Sequence, residues 1–215
     1  MSGKFIVIEG LEGAGKSTAC HEVITLLHQY GIKNVIHTRE PGGTPIAEQL
    51  RKLVQQKEIL QEEVTDYAEL LMLYAARIQL VNNIIKPALE EGSWVVGDRH
   101  DLSSQAYQGG GRKIKPNFIS YLKEELLGDF SPDLTLYLDI TPEISLQRTQ
   151  KRGALDRIEI ESLSFFTRTR NRYLTLALED KRIQIIDATE KQSKVTSELH
   201  RKINQWLKKY CKFII

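Results

Sequence analysis

Gly10-Leu11-Glu12-Gly13-Ala14-Gly15-Lys16-Ser17 satisfies G-x-x-x-x-G-K-[ST] at every fixed position. The residue types suit the wrapping of an anion. Glycines let successive backbone N–H groups turn inward, and a helix beginning just after them adds its positive end. Lys16 supplies a point charge for β- and γ-phosphates, and the Ser17 hydroxyl is placed to ligate Mg²⁺. The chemistry indicated is the binding of ATP with Mg²⁺. No Asn-Lys-x-Asp run is present, so a GTP switch lacks its guanine reader. A motor or partition ATPase stays open on this motif alone.

A second group of charges points to a second phosphate. Asp98-Arg99 follows the apolar run Trp94-Val95-Val96-Gly97, at what would be the carboxyl end of a parallel strand, where α/β proteins bind ligands. A carboxylate there can support Mg²⁺ through its waters, and the arginine can grip an anion; a structural ion pair is the alternative. Asp139 ends another apolar run and rivals Asp98 for the metal, although the adjoining Thr141-Pro142 suits it better to a local turn. Arg77 shares a helical stripe with Leu70, Leu73, Tyr74, Ile78, Val81, Ile84 and Ile85. A buried arginine needs a partner, and either a bound phosphate or a buried carboxylate would serve. Lys16, Arg77 and Arg99 together exceed what one nucleotide requires, which favours a doubly anionic acceptor monophosphate. Lys151-Arg152-Gly153-Ala154-Leu155-Asp156-Arg157 reads either as a solvated turn or as a lid that brings arginines to a transferring phosphate and excludes water.

These residues need elements to position them. Short β-rich runs at Phe5 to Ile8, Val35-Ile36, Trp94 to Val96, Leu134 to Leu138 and Ile183 to Ile186 alternate with helical patterns. The helices expected are Ser17 to Tyr30, Ile46 to Val54, Asp66 to Glu91 and Pro142 to Arg152, the last announced by Thr141-Pro142-Glu143. An amphipathic helix is expected at the C-terminus. The stretch from Gln108 to Lys115, with three consecutive glycines, reads as a loop, and residues 150–161 as the lid. The fold class is α/β: a P-loop NTPase-type three-layer arrangement with a five-stranded parallel sheet flanked by helices, as one domain over 1–215.

Bulk properties fit that reading. Hydrophobic residues make up 41% and charged residues 27% of 215, as in a folded soluble domain. Thirty basic against 28 acidic side chains leave +2, without the excess of a nucleic-acid binder. Cys20 and Cys211 fit no metal spacing and suit a reducing cytoplasm as free thiols. No run is long enough for a signal segment or a membrane span.

The motifs resemble those of bacterial thymidylate kinases, in order over nearly the whole chain. They are Glu9 to Thr18, Thr38-Arg39-Glu40-Pro41-Gly42-Gly43-Thr44, Tyr74-Ala75-Ala76-Arg77, Gly97 to Gln108, and Arg152-Gly153-Ala154-Leu155-Asp156-Arg157. The resemblance implies phosphorylation of dTMP to dTDP by Mg·ATP, usually by a homodimer. It puts ATP on Gly10, Leu11, Glu12, Gly13, Ala14, Gly15, Lys16 and Ser17, and the acceptor phosphate on Arg77 and Arg99. It implies that Asp98 and Ser17 support Mg²⁺, that Glu12 lies near the acceptor's 3′-hydroxyl, that Ser104 reads the thymine edge with Gln108 beside it, and that Tyr107 crowds the 2′ position. The loop from Gly10 to Ser17 has no arginine, so the catalytic arginine is expected in the lid, as Arg152 or Arg157. One departure stands out: Leu73 occupies the usual place of a phenylalanine platform for the base. A kinase for another monophosphate or for a deoxynucleoside is the alternative, and an ATPase switch a more distant one.

Overall fold

The computed structural model describes residues 3–55, 62–151, 153 and 155–209. The apolar run at the N-terminus becomes β1 (Phe5–Gly10), and every residue in it is buried. Both of its faces are covered. Ile6 and Ile8 join one core with Ala19, Val23 and Leu27 of α1 (Lys16–Gln29). Phe5 and Val7 point the opposite way, into a second core with Leu80, Val81 and Ile85. The other expected runs become β2 (Val35–Arg39), β3 (Trp94–Asp98), β4 (Leu134–Asp139) and β5 (Ile183–Asp187). The sheet is five-stranded, in the order β2-β3-β1-β4-β5, with every pair parallel. The chain therefore leaves β1 with β3 on one side and β4 on the other. A crevice opens at the carboxyl ends where the strand order reverses. Glycine-rich turn, Asp98 and Asp139 all meet there, with Ile8 opposite Asp98 in the β1–β3 register.

Around the sheet lie α2 (Pro45–Gln55), α3 (Asp66–Leu80), α4 (Lys86–Glu90), α5 (Asp101–Ser104), α6 (Pro116–Leu127), α7 (Pro142–Gln150), α8 (Leu163–Glu179) and α9 (Gln192–Leu207). Thr65 caps α3 by accepting from the Ala68 N–H, and Thr141 caps α7 by accepting from the Ile144 N–H. Of the α3 stripe, Leu70, Tyr74 and Arg77 are buried as the spacing required. The C-terminal helix α9 buries Leu199, Ile203, Trp206 and Leu207. Cys211 lies outside the described residues, while Cys20 is buried as a free thiol.

Two expectations need correction. The helix expected over Asp66 to Glu91 is not uniform: α3 widens into a π turn at Val81–Ile85 before α4. Pro87 has no N–H and its ring would meet the carbonyl four residues back, so the ladder shifts by one residue, with the Lys86 N–H bonding to Val81 O. The stretch from Gln108 is not simply a loop, because a π-helical turn runs from Gln105 to Gly111. Its glycines serve contact rather than flexibility. A Cβ on Gly110 would stand 2.8 Å from Arg168 O, and one on Gly111 would stand 2.4 Å from the Phe165 ring. Both positions must stay bare for α8 to pack this closely. Helices α6 and α8 were not expected; α8 buries Phe165, Phe166, Thr169, Tyr173 and Leu176, a stripe with too much polar and aromatic admixture to read as a simple apolar face.

Candidate active site

The glycine-rich turn takes the form that its residue types dictate. Gly10, Gly13 and Gly15 hold φ of 148°, 73° and 91°, a region that side chains disfavour. A Cβ at Gly15 would meet nothing within 4 Å, so the space over the turn is open. Lys16 Nζ donates to Leu11 O at 2.9 Å. Burial, reinforced by the neighbouring Arg99, brings the Lys16 ammonium down to about 8, against the opposing pull of Glu12 and Asp98.

Ser17 Oγ donates to Asp98 Oδ2 at 3.2 Å, across 81 residues of sequence. A hydroxyl and a carboxylate thus converge beside the turn, an oxygen pair suited to a hard divalent cation whose remaining ligands come from phosphates and water. Among the described residues no group of three or more acidic, His or Cys side chains forms a complete metal cage. Asp139 is not a competitor. Arg170 grips both of its oxygens at 2.8 Å, and Tyr137 donates to it as well.

Arg99 stands at φ 75°, a left-handed conformation for a non-glycine residue. Glu9 pins this corner by accepting from the His100 N–H at 2.8 Å, the Ser103 N–H at 3.2 Å and the Tyr173 hydroxyl at 2.9 Å. Burial still raises the Glu9 carboxyl, despite Arg99 and these donors. The Arg99 guanidinium is thereby sent across the crevice to Glu12, at 2.6 Å, and Tyr107 donates to the other Glu12 oxygen at 2.5 Å. Burial pushes Glu12 up, but Arg99, Lys16 and the Tyr107 hydroxyl outweigh it and hold the carboxyl below its usual range.

Arg77 lies deeper, 2% exposed. Of its two possible partners the described structure supplies carboxylates. Nε donates to Glu40 at 2.7 Å, Nη2 donates to Ser104 Oγ at 2.9 Å and His100 O at 3.2 Å, and Asp101 lies 3.6 Å from Nη1. Nη1 makes no hydrogen bond. The opposite side of Glu40 meets His100 Nδ1 at 2.7 Å. Burial raises Glu40, yet His100 and Arg77 together bring it below its ordinary value.

Of the two arginines expected in a lid, Arg152 lies outside the described residues. Arg157 is committed: it donates to Glu69 of α3 and to Val54 O at 2.9 Å, and its N–H reaches Gln55 O at 3.1 Å.

One cavity of about 310 Å³ collects most of the expected set. Glu12, Lys16 and Ser17 line it with Asp98 and Arg99, and so do Leu73, Arg77, Ser104, Tyr107 and Gln108. Arg157 does not. Sequence reasoning missed Arg39, Arg51, His100 and Asp156 as lining residues. Arg39 ends β2 as Asp98 ends β3, and the strand-end rule would have found it. Arg51 gives no such signal, since it faces the cavity only because α2 packs there. A second cavity of about 300 Å³ lies against the other side of the turn, lined by Gly15, Thr18, Arg148, Ala188 and Glu190. Arg148 donates to Gly13 O at 3.3 Å and Ala188 O at 3.0 Å, tying that wall to the turn.

A sequence model of the family described as Thymidylate kinase matches residues 8–199. The fold is also similar to the crystal structure of thymidylate kinase from Ehrlichia chaffeensis, with a TM-score of 0.73 and 28% identity. That similarity covers 97% of this chain and 99% of the other. No helix among the described residues is long and apolar enough to cross a membrane.

Proposed function

The chain belongs to the thymidylate kinase family, and from that premise we propose how its residues transfer the γ-phosphoryl group of ATP to the phosphate of dTMP. The observation that carries the assignment of roles is the single crevice holding two separate anion-binding sets. The turn from Gly10 to Ser17 receives the ATP phosphates, with Lys16 donating to them instead of to Leu11 O. The second cavity, bounded by Arg148 and Ala188, takes the nucleoside end of ATP. Ser17 and Asp98 hold Mg²⁺, which when bound neutralises phosphate charge. Phosphoryl transfer needs positioning and charge neutralisation more than covalent chemistry, and these groups provide both.

The acceptor phosphate sits with Arg99. Arg39 and Arg51 line the same crevice. Arg39 holds Glu48 in an exposed pair at 2.9 Å and Arg51 donates to Pro41 O at 2.8 Å, contacts that an incoming phosphate can replace. Arg77 has a different part. Glu40 and Asp101 already compensate its charge, so its remaining attraction for a dianion is small. Its unused Nη1 donor suits a neutral oxygen on the base. Ser104, which accepts from Arg77, keeps its own proton to donate to the same edge. Tyr107, tied to Glu12, stands beside the sugar. Because Arg157 is held by Glu69, Arg152 is the lid arginine left to approach the transferring phosphate.

The protein works as a homodimer in the cytoplasm. Tyr67 and Leu71 of α3 are 51% and 50% exposed, and Tyr121 of α6 is 57% exposed, beside the Tyr67–Phe118 ring pair. A second copy covering this apolar face accounts for it. Leu71→Glu should then sediment as a monomer; an unchanged dimer would remove this face as the interface.

The deciding assay follows ADP release from Mg·ATP with dTMP, dUMP, UMP, CMP, AMP, GMP and thymidine. Strong preference for dTMP, with negligible release without acceptor, is expected. Equal release without any acceptor would overturn the acceptor site drawn around Arg99.

A further inference from the structure

Glu69 is fully buried on α3, yet it is not among the residues lining the crevice. Three side chains from distant parts of the chain converge on its carboxylate. Gln108 Nε2 donates to Oε1 at 2.6 Å. Arg112 Nη2 donates to Oε2 at 3.1 Å, and Arg157 of the lid donates to that same oxygen. Arg112 also bonds Glu161, at the end of the lid segment. Two guanidinium groups supply the counter-charge that a buried carboxylate requires.

The consequence lies in the amide. A carboxylate only accepts, so the end of Gln108 that faces Glu69 has to be its NH₂. The carbonyl end then has no choice of direction. Gln108 is a lining residue of the crevice, 2% exposed, and its Oε1 is buried with no hydrogen-bond partner. A buried acceptor without a partner is costly, a cost that a donor on a bound molecule removes. Ser104 and Leu73 line the same crevice.

We propose that Glu69, which touches no substrate, sets base selectivity. By fixing the polarity of the Gln108 amide it presents an acceptor to the acceptor nucleotide's base, and so selects a base whose facing edge carries an N–H. Thymine and uracil carry a ring N–H at position 3, whereas cytosine has a lone pair there and is refused. Lid and base reader also share one carboxylate, since Arg157 and Gln108 both donate to Glu69. This inference rests on the placement of the acceptor in the crevice lined by Arg99.

The test compares kcat/KM for dTMP and dCMP in wild type, Glu69→Gln and Glu69→Asp. With an amide at 69 the pair can reverse, giving Gln108 Nε2 to the base. The dTMP:dCMP preference should then fall about tenfold or more, as expected for one hydrogen bond exchanged. Glu69→Asp still only accepts, so its preference should stay near wild type even if both rates fall. A merely structural Glu69 would lower both acceptors alike, and an unchanged ratio in a folded Glu69→Gln would overturn the proposal. Should Glu69→Gln not fold, Gln108→Leu removes the acceptor while leaving the Glu69 carboxylate with its two guanidinium partners; it should lose the same preference, and retention of it would be equally decisive against the proposal. Failure of the wild type to use dTMP at all would instead reject the kinase reading itself.

Discussion

Replacing Arg77 with methionine tests whether this side chain is chiefly a buried counter-ion. Arg77→Met deletes donors to Glu40, Ser104 and His100 O and leaves Glu40 and Asp101, both buried, without their arginine. Breaking a buried pair by removing one member costs about 3–5 kcal/mol. For a domain of this size each kcal/mol lowers Tm by about 2–4 °C, so a loss of about 6–20 °C is expected. Glu40→Gln in the same background removes one stranded charge. The double variant should therefore be more stable than the sum of the two single losses, with a coupling of about 1–3 kcal/mol. Thermal unfolding by circular dichroism on all four proteins measures it. Calorimetry below the lowered transition then separates the ligands. ATP affinity should stay within about twofold, while dTMP weakens by about tenfold or more, the value of one charged hydrogen bond. Additive single losses, or a Tm within about 2 °C of wild type, would show that the Glu40–Arg77–Asp101 arrangement does not carry the energy assigned to it. Loss of ATP affinity equal to that of dTMP would remove Arg77 from the acceptor side.

Two further outcomes follow from the same site. Lys16 is brought down to about 8 from an ordinary 10.5, chiefly by burial. A lysine depressed in the folded state is partly deprotonated there while the unfolded chain still holds its proton, so unliganded stability should rise between about pH 8 and 10.5. Phosphates need the charged form, so ATP affinity should fall about tenfold between pH 7 and 9; isothermal titration at both pH values checks this, and a flat profile contradicts it. Leu73 is half-buried and lines the acceptor crevice where an aromatic platform is otherwise expected. Leu73→Phe should lower KM for dTMP by about twofold to tenfold, from roughly 0.5–1.5 kcal/mol of ring contact, and an unchanged or raised KM would reject a role for stacking here.

How much of this was open to inspection in the sequence differs from residue to residue, for a physical reason. Backbone conformation is decided within a few neighbours. A run such as Phe5 to Ile8 excludes water on both faces, and glycines at 10, 13 and 15 permit positive φ, so strand, anion-binding turn and the places of Lys16 and Ser17 were readable from local pattern alone. Strand ends were readable too, which placed Asp98. The partner of a charge is decided differently. Arg77 meets Glu40 across 37 residues and Arg157 meets Glu69 across 88, and no local pattern encodes which acids packing brings close. The sequence therefore left Arg77 between a phosphate and a carboxylate, and left Asp98 and Asp139 as rivals until Arg170 was found on the latter. Glycines 110 and 111 made the same point in reverse, since the helix they lie against is more than 50 residues away and only its approach explains why no side chain fits. Local chemistry set what each residue could do, and the packing of distant elements chose among those possibilities.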